Sequence, residues 1–143
     1  MKSLTFFAIG TPVGQPRPRA CIRGKHAGMY DPGTADAWKA AVARAAKEAS
    51  DGHVFTGPVH LNLWVYMPRP KSHFRASGAI KPSAPSWHTS KPDLDNIEKA
   101  IKDAITDAGI WADDSLVCLV YKSKFYSVDG RPGARIEIRE IIE

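Results

Sequence analysis

Residues 59–67 read Val59-His60-Leu61-Asn62-Leu63-Trp64-Val65-Tyr66-Met67. The alternation is strict. Val59, Leu61, Leu63, Val65 and Met67 share one face of an extended chain, and His60, Asn62, Trp64 and Tyr66 share the other. This is a strand, and a central one, since Trp64 and Tyr66 also need cover. Pro68 stops it. Working toward the N-terminus, Leu4 to Ile9 reads as a strand closed by Gly10-Thr11-Pro12. Residues 11–33 are rich in Gly, Pro and Arg, with a candidate short strand around Ala20 to Arg23. Thr34 is placed to cap a helix running to about Ala49. Its stripe is Trp38, Val42 or Ala41, Ala45 and Ala49, Asp36 sits favourably in the first turn, and Ser50-Asp51-Gly52 ends it.

Toward the C-terminus a second helix is predicted after Pro92. Leu94, Ile97, Ile101, Ala104 or Ile105, and Ala108 recur at helical spacing, and Gly109 closes the element. Leu116 to Tyr126 reads as a strand with Val117, Leu119, Tyr121 and Phe125 on one face. Asp129-Gly130 begins a turn, and Ala134 to Ile138 is a last strand with Ile136 and Ile138 inward. The order β, (β), α, β, α, β, β predicts a single α+β domain over residues 1–143, with a mixed β-sheet and two main α-helices.

Composition narrows the class. The 143 residues suit one core, and 43% hydrophobic with 24% charged residues is globular rather than disordered. No apolar run approaches the ~20 residues of a membrane helix, so no membrane partner is expected. Lys2 is the only charge before the apolar Leu4–Ile9 run and no small-residue cleavage site follows it, so no signal peptide is expected. Cys21 and Cys118 form neither a CxxC nor a disulfide framework, which makes a cytoplasmic location the expectation.

The net charge of +5 is unevenly placed. Residues 1–30 contain no acid and carry Lys2, Arg17, Arg19, Arg23 and Lys25. Residues 68–92 contain no acid either and carry Arg69, Lys71, Arg75, Lys81 and Lys91. This second stretch is a proline-rich loop longer than the ~12–15 residues usual for a structureless connection. It interleaves its cations with Phe74 and Trp87, which suits phosphate and unstacked bases and predicts a DNA-contacting arm, poorly ordered when free. A passive insertion is the alternative. Residues 93–114, by contrast, hold seven of the 15 acids, which points to a cation site beside a polyanion partner or, alternatively, to a solvated helix face.

Those acids stand in Lys91-Pro92-Asp93-Leu94-Asp95-Asn96-Ile97-Glu98-Lys99-Ala100 and Trp111-Ala112-Asp113-Asp114. Asp93 and Asp95 straddle a helix start, where the first residue is still non-helical and both carboxylates can converge. Lys99 lies one turn after Asp95 on the same face. The turn at Gly109 lets Asp113 or Asp114 return toward that helix start. Three carboxylates at one point need a cation, and oxygen-only ligands favour Mg²⁺ or Mn²⁺ over Zn²⁺. The segment is not an EF-hand, because the loop glycine is missing. The bland alternative makes Asp93 an N-cap, gives Asp95 to the helix dipole and leaves Asp113 and Asp114 in a turn.

Asp93-Leu94-Asp95-Asn96 with Lys99 and Ala100, Asp103-Ala104, Ala108-Gly109 and Trp111-Ala112-Asp113-Asp114-Ser115 resemble the RusA family of Holliday-junction resolvases. These are small homodimeric Mg²⁺-dependent endonucleases, often phage- or prophage-borne. The resemblance covers nearly the whole chain. It implies that Asp93, Asp95 and Asp114 hold metal, with Asp113 as second choice, and that Lys99 is required for cleavage. It also implies resolution of four-way DNA junctions by paired phosphodiester hydrolysis, in a homodimer. Against it stand a branched-DNA-binding protein without turnover and a cation-stabilised structural domain. Loop 68–92 is longer and richer in proline than in compact members of the family.

Overall fold

The computed structural model describes residues 3–16 and 33–142 in full, and residues 19–23 and 26–30 as backbone. In chain order the elements are β1 (Ser3–Ile9), β2 (Arg19–Arg23), β3 (His26–Tyr30), α1 (Asp36–Ser50), β4 (Val59–Met67), α2 (Leu94–Asp107), β5 (Val117–Tyr126) and β6 (Gly133–Glu140). Four strands form a mixed sheet in the order β1-β6-β4-β5. β6 runs antiparallel to both β1 and β4, while β4 and β5 run parallel. β2 and β3 pair with each other as a separate hairpin, one strand more than the sequence suggests. This is the expected α+β class, with β4 central as expected.

The two helices contact each other; α1 packs on β1 and α2 on β5. Between helices and sheet lies the core, built from Leu61, Leu63 and Val65 of β4, Ile136 and Ile138 of β6, Val42 of α1, and Ile97, Ile101 and Ile105 of α2. The apolar spacing of α2 is therefore its buried stripe. In α1 the stripe runs through Trp38, Val42 and Ala46, with Ala45 and Ala49 only partly buried. Ala35, not Thr34, occupies the N-cap of α1, and no side chain caps that end. Both helices stop where expected: Asp51 adopts a left-handed φ of 48° and Gly109 a φ of 77°.

β5 departs from its expected facing. Val117 pairs with Val59, but the next step sets Leu119 opposite His60, so Cys118 is an extra residue. A one-residue bulge exchanges the two faces of everything after it. Val120, Lys122, Lys124 and Tyr126 consequently align with Leu61, Leu63, Val65 and Met67, toward the helices. Leu119, Tyr121 and Phe125 join His60, Asn62 and Tyr66 on the open face, where Tyr121 is 65% exposed. Val117 does not share their side.

Loop 68–92 is pinned rather than free, against the expectation of an unstructured arm. Residues Lys71–His73 form a 3₁₀ turn, and Trp87 bridges Phe125 at the open edge of β5. The Tyr126 amide donates to the Ser86 carbonyl (2.8 Å) and the His88 amide to the Lys124 carbonyl (3.3 Å). The loop also closes around Tyr126, whose ring takes the edges of His73 and His88 and the guanidinium of Arg69. Among the described residues no helix is long and apolar enough to cross a membrane.

Close backbone packing at the β1–β6 pair yields a test. A Cβ on Gly133 would sit 2.3 Å from the Ala8 carbonyl oxygen, whereas one on Gly57 meets nothing within 4 Å. Gly133→Ala is expected to lower unfolding stability by at least about 1–3 kcal/mol, and Gly57→Ala to change it by under about 0.5 kcal/mol. Urea titrations of both variants check this; equal stabilities would refute the close approach.

Candidate active site

Asp93 is the N-cap of α2, and its Oδ1 accepts the Asn96 amide at 2.8 Å. That satisfies one of the orphan donors of the first turn and places negative charge at the positive end of the helix dipole. The bland sequence reading is thus correct for Asp93 as far as its capping oxygen goes. Residues 11–16 lie against the same turn: the Gln15 amide donates to the Asn96 carbonyl at 3.0 Å. The chain that continues into the basic N-terminal stretch therefore leaves from beside the acidic helix start. Arg17 lies outside the described residues, and Arg19 opens β2 with its side chain undescribed.

Asp95 points to β5. Its Oδ1 accepts from Lys122 Nζ, and the same ammonium donates to Glu98 Oε1 at 2.7 Å. Glu98 Oε2 takes Lys102 Nζ at 2.9 Å. The result is a chain of alternating charge, Asp95–Lys122–Glu98–Lys102. Lys122 holds the Asp95 carboxyl below the usual carboxylate range although that side chain is 87% exposed. Burial opposes ionisation of Glu98, but hydrogen bonds from Lys122 and Lys102 outweigh it and lower its pKa. Burial likewise disfavours the charge on Lys122, and its two carboxylates raise its pKa regardless. Two residues on, Lys124 Nζ donates to the carbonyls of Ser90 and Pro92, each at 2.7 Å. The two lysines fasten α2, and the chain entering it, to β5.

The remaining candidates are dispersed. Asp113 caps the 3₁₀ turn Asp114–Leu116, its Oδ2 accepting the Ser115 amide at 3.2 Å; the Ser115 hydroxyl first, and then this amide, lower its pKa. Asp114 is half-buried in that turn, which α2 contacts. Lys99 is exposed and makes no ion pair among the described residues. Asp103, one turn further along α2, faces Lys39 at 3.8 Å instead. No three His, Cys, Asp or Glu side chains among the described residues are grouped to hold a metal ion. The donor set thus suits a hard divalent cation in its chemistry but not in its present arrangement.

In the loop, Lys71, Arg75, Lys81 and Lys91 are exposed and unpaired among the described residues. Arg69 differs. Its Nε donates to the Ser127 carbonyl at 2.7 Å and its Nη1 to the Pro85 carbonyl at 2.8 Å. A guanidinium so engaged ties the loop down rather than waiting for phosphate. Sequence reasoning missed Glu98, Lys122 and Lys124. Glu98 could have been found from its spacing, three residues after Asp95 on one helix face. The two lysines carried no such signal, because the bulge at Cys118 hides which face they take.

Residues 10–139 match the family Endodeoxyribonuclease RusA. The chain is also similar to the uncharacterized protein YqaN of Bacillus subtilis (strain 168), with 36% identity over 149 aligned positions covering 99% of each protein.

The charge chain has a pH signature. The folded-state pKa of Glu98 is lowered, so its contribution is complete above the unfolded value of ~4.3 and is lost as pH falls through the folded value. Glu98→Gln is expected to reduce unfolding stability at pH 7 by about 1–3 kcal/mol, the worth of charge-assisted hydrogen bonds. The difference should shrink below about pH 4. Urea unfolding of parent and variant at pH 7 and pH 3 measures it; a difference independent of pH would remove the ionised Glu98 from the account.

Proposed function

Because the chain belongs to the RusA endodeoxyribonuclease family, we propose that it resolves four-way DNA junctions by hydrolysing phosphodiesters at the start of α2. The observation that carries this reading is the display of the Asp93-Leu94-Asp95-Asn96 turn. Asp95 is almost fully exposed there, Lys99 follows one turn later with its ammonium unpaired among the described residues, and the exposed cations of loop 68–92 lead into it along the chain.

Each group has a role in this proposal. Lys71, Arg75, Lys81 and Lys91 bind backbone phosphates and hold the strand, without reading its sequence. Lys99 meets the scissile phosphate and balances the charge that builds up in its transition state. Asp93, Asp95 and Asp114, with Asp113 second, are the oxygen donors for Mg²⁺ or Mn²⁺, and the cation would supply Lewis acidity and a more acidic water. A junction has two-fold symmetry, so a C₂ homodimer would bring one site to each of two opposed strands and make the cuts a pair.

Incubation with labelled junction DNA, in Mg²⁺ and in EDTA, tests the reading. Mg²⁺-dependent cleavage supports it; binding without cleavage in either buffer overturns it in favour of a junction-binding protein. Asp95→Asn is expected to abolish cleavage while junction affinity stays equal to the parent's or rises, because a negative charge near phosphate is gone. Lys99→Ala should lower the single-turnover rate by about 10²–10³-fold, the usual loss on removing one transition-state charge donor, with little change in binding. A parent-like rate in either variant would remove that residue from the chemistry.

The loop makes a separate prediction. Neutralising Lys71, Arg75, Lys81 and Lys91 together, with Arg69 kept, should make the salt dependence of junction binding shallower. The slope of log affinity against log salt should drop by up to about 0.9 for each phosphate that the variant no longer neutralises. Equilibrium binding at several salt concentrations measures it. Superimposable slopes would take the loop off the DNA and leave the basic stretch around Arg17, Arg19 and Arg23 as the candidate.

A further inference from the structure

We infer that Lys122 is the built-in counter-cation of Asp95, a positioning residue that competes with a divalent cation for that carboxylate. The inference rests on the reading of Asp95 as a metal ligand and adds to it a competition: Lys122 and a divalent ion each weaken the other's hold on Asp95.

The geometry behind it is specific. Lys122 lies in the middle of β5, in register with Leu63 of the central strand, so its backbone cannot follow a moving helix end. Its ammonium binds Asp95 Oδ1 and Glu98 Oε1, one from each of two successive positions on the same face of α2. Glu98 is nearly covered, with its side chain 13% exposed, and its other oxygen is taken by Lys102. It is therefore the fixed member of the pair. Asp95 is 87% exposed and, among the described residues, bonded to Lys122 alone, which makes it the member free to turn. The ammonium on Oδ1 and a divalent ion on the same carboxylate repel one another, so each weakens the other's hold on Asp95.

Asp93, Asp95 and Glu98 place three like charges at the start of α2. Lys122 neutralises two of them, and the helix N-terminus stabilises the third. Where Asp95 turns toward a cation, Lys122 still holds Glu98 and fastens α2 to the sheet.

Isothermal titration of the DNA-free protein with Mn²⁺ tests this, using the parent, Lys122→Met, Lys122→Arg and Asp95→Asn. Lys122→Met keeps the length of the chain and removes its charge, and is expected to bind Mn²⁺ about tenfold more tightly, since the competitor is gone. Lys122→Arg should stay close to the parent. A lysine that merely supported the helix would instead weaken Mn²⁺ binding when replaced by Met, and weaker or unchanged binding overturns the inference. Asp95→Asn should bind much more weakly; parent-like binding there overturns the metal reading itself and the inference with it. Where Lys122→Met fails to fold, nuclear magnetic resonance of the lysine ammonium groups in the parent decides. The Lys122 signal is expected to shift on titration with Mg²⁺ as its hold on Asp95 weakens, and a signal unmoved at saturation overturns the competition.

Discussion

β4 and β5 lie side by side and run the same way, and the position of the candidate site follows from that constraint. A parallel pair cannot be closed by a tight turn; the chain leaving the end of β4 must travel back along the sheet before β5 can begin. Loop 68–92 and α2 are that return path. The loop first pairs with the end of the β5 edge at Phe125, where backbone groups of Lys124 and Tyr126 gain partners. It then delivers the chain to Lys124, which holds the carbonyls of Ser90 and Pro92, and α2 starts there. The acidic turn is thus set beside the middle of β5, with the basic loop immediately before it. The basic loop and the acidic turn are neighbours because one crossover carries both.

The helix start concentrates negative charge, and three separate devices make that tolerable. Asp93 is spent partly on the cap, where the helix dipole favours it. Asp113 does the equivalent work at the short turn before β5. Asp95 and Glu98 share Lys122, and Glu98 has Lys102 as well. Each device is a hydrogen bond to a charged group, which opposes the cost of crowding carboxylates together. Burial divides the labour between the two acids that share Lys122. Glu98 is covered and doubly held, so it acts as an anchor, while Asp95 remains at the surface.

Much of this was legible in the residues. The alternation of 59–67 identified the central strand, the stripe from Leu94 to Ala108 identified α2 and its buried face, and Gly109 marked its end. All three rest on local periodicity, which the backbone geometry of a single element enforces. The Asp93-x-Asp95 pair at a helix start and the turn at Asp113-Asp114 were also visible, because capping is a local property. The charge segregation of the loop was plain from counting. Spacing alone likewise put Lys99 one turn beyond Asp95.

Tertiary structure decided what depends on partners distant in the chain. A single extra residue, Cys118, reverses the faces of β5, and nothing in the alternation of Leu119, Tyr121 and Phe125 reveals it, because a bulge is defined only against the neighbouring strand. That reversal turns Lys122 and Lys124 toward α2, 27 residues from Asp95 in the first case, and makes them the ties of the site. Arg69 looked like a phosphate contact until Ser127, Pro85 and Tyr126 were seen to occupy it. Charge and periodicity are written in sequence, whereas the identity of the counter-charge is a matter of which side chains the fold brings within hydrogen-bonding distance.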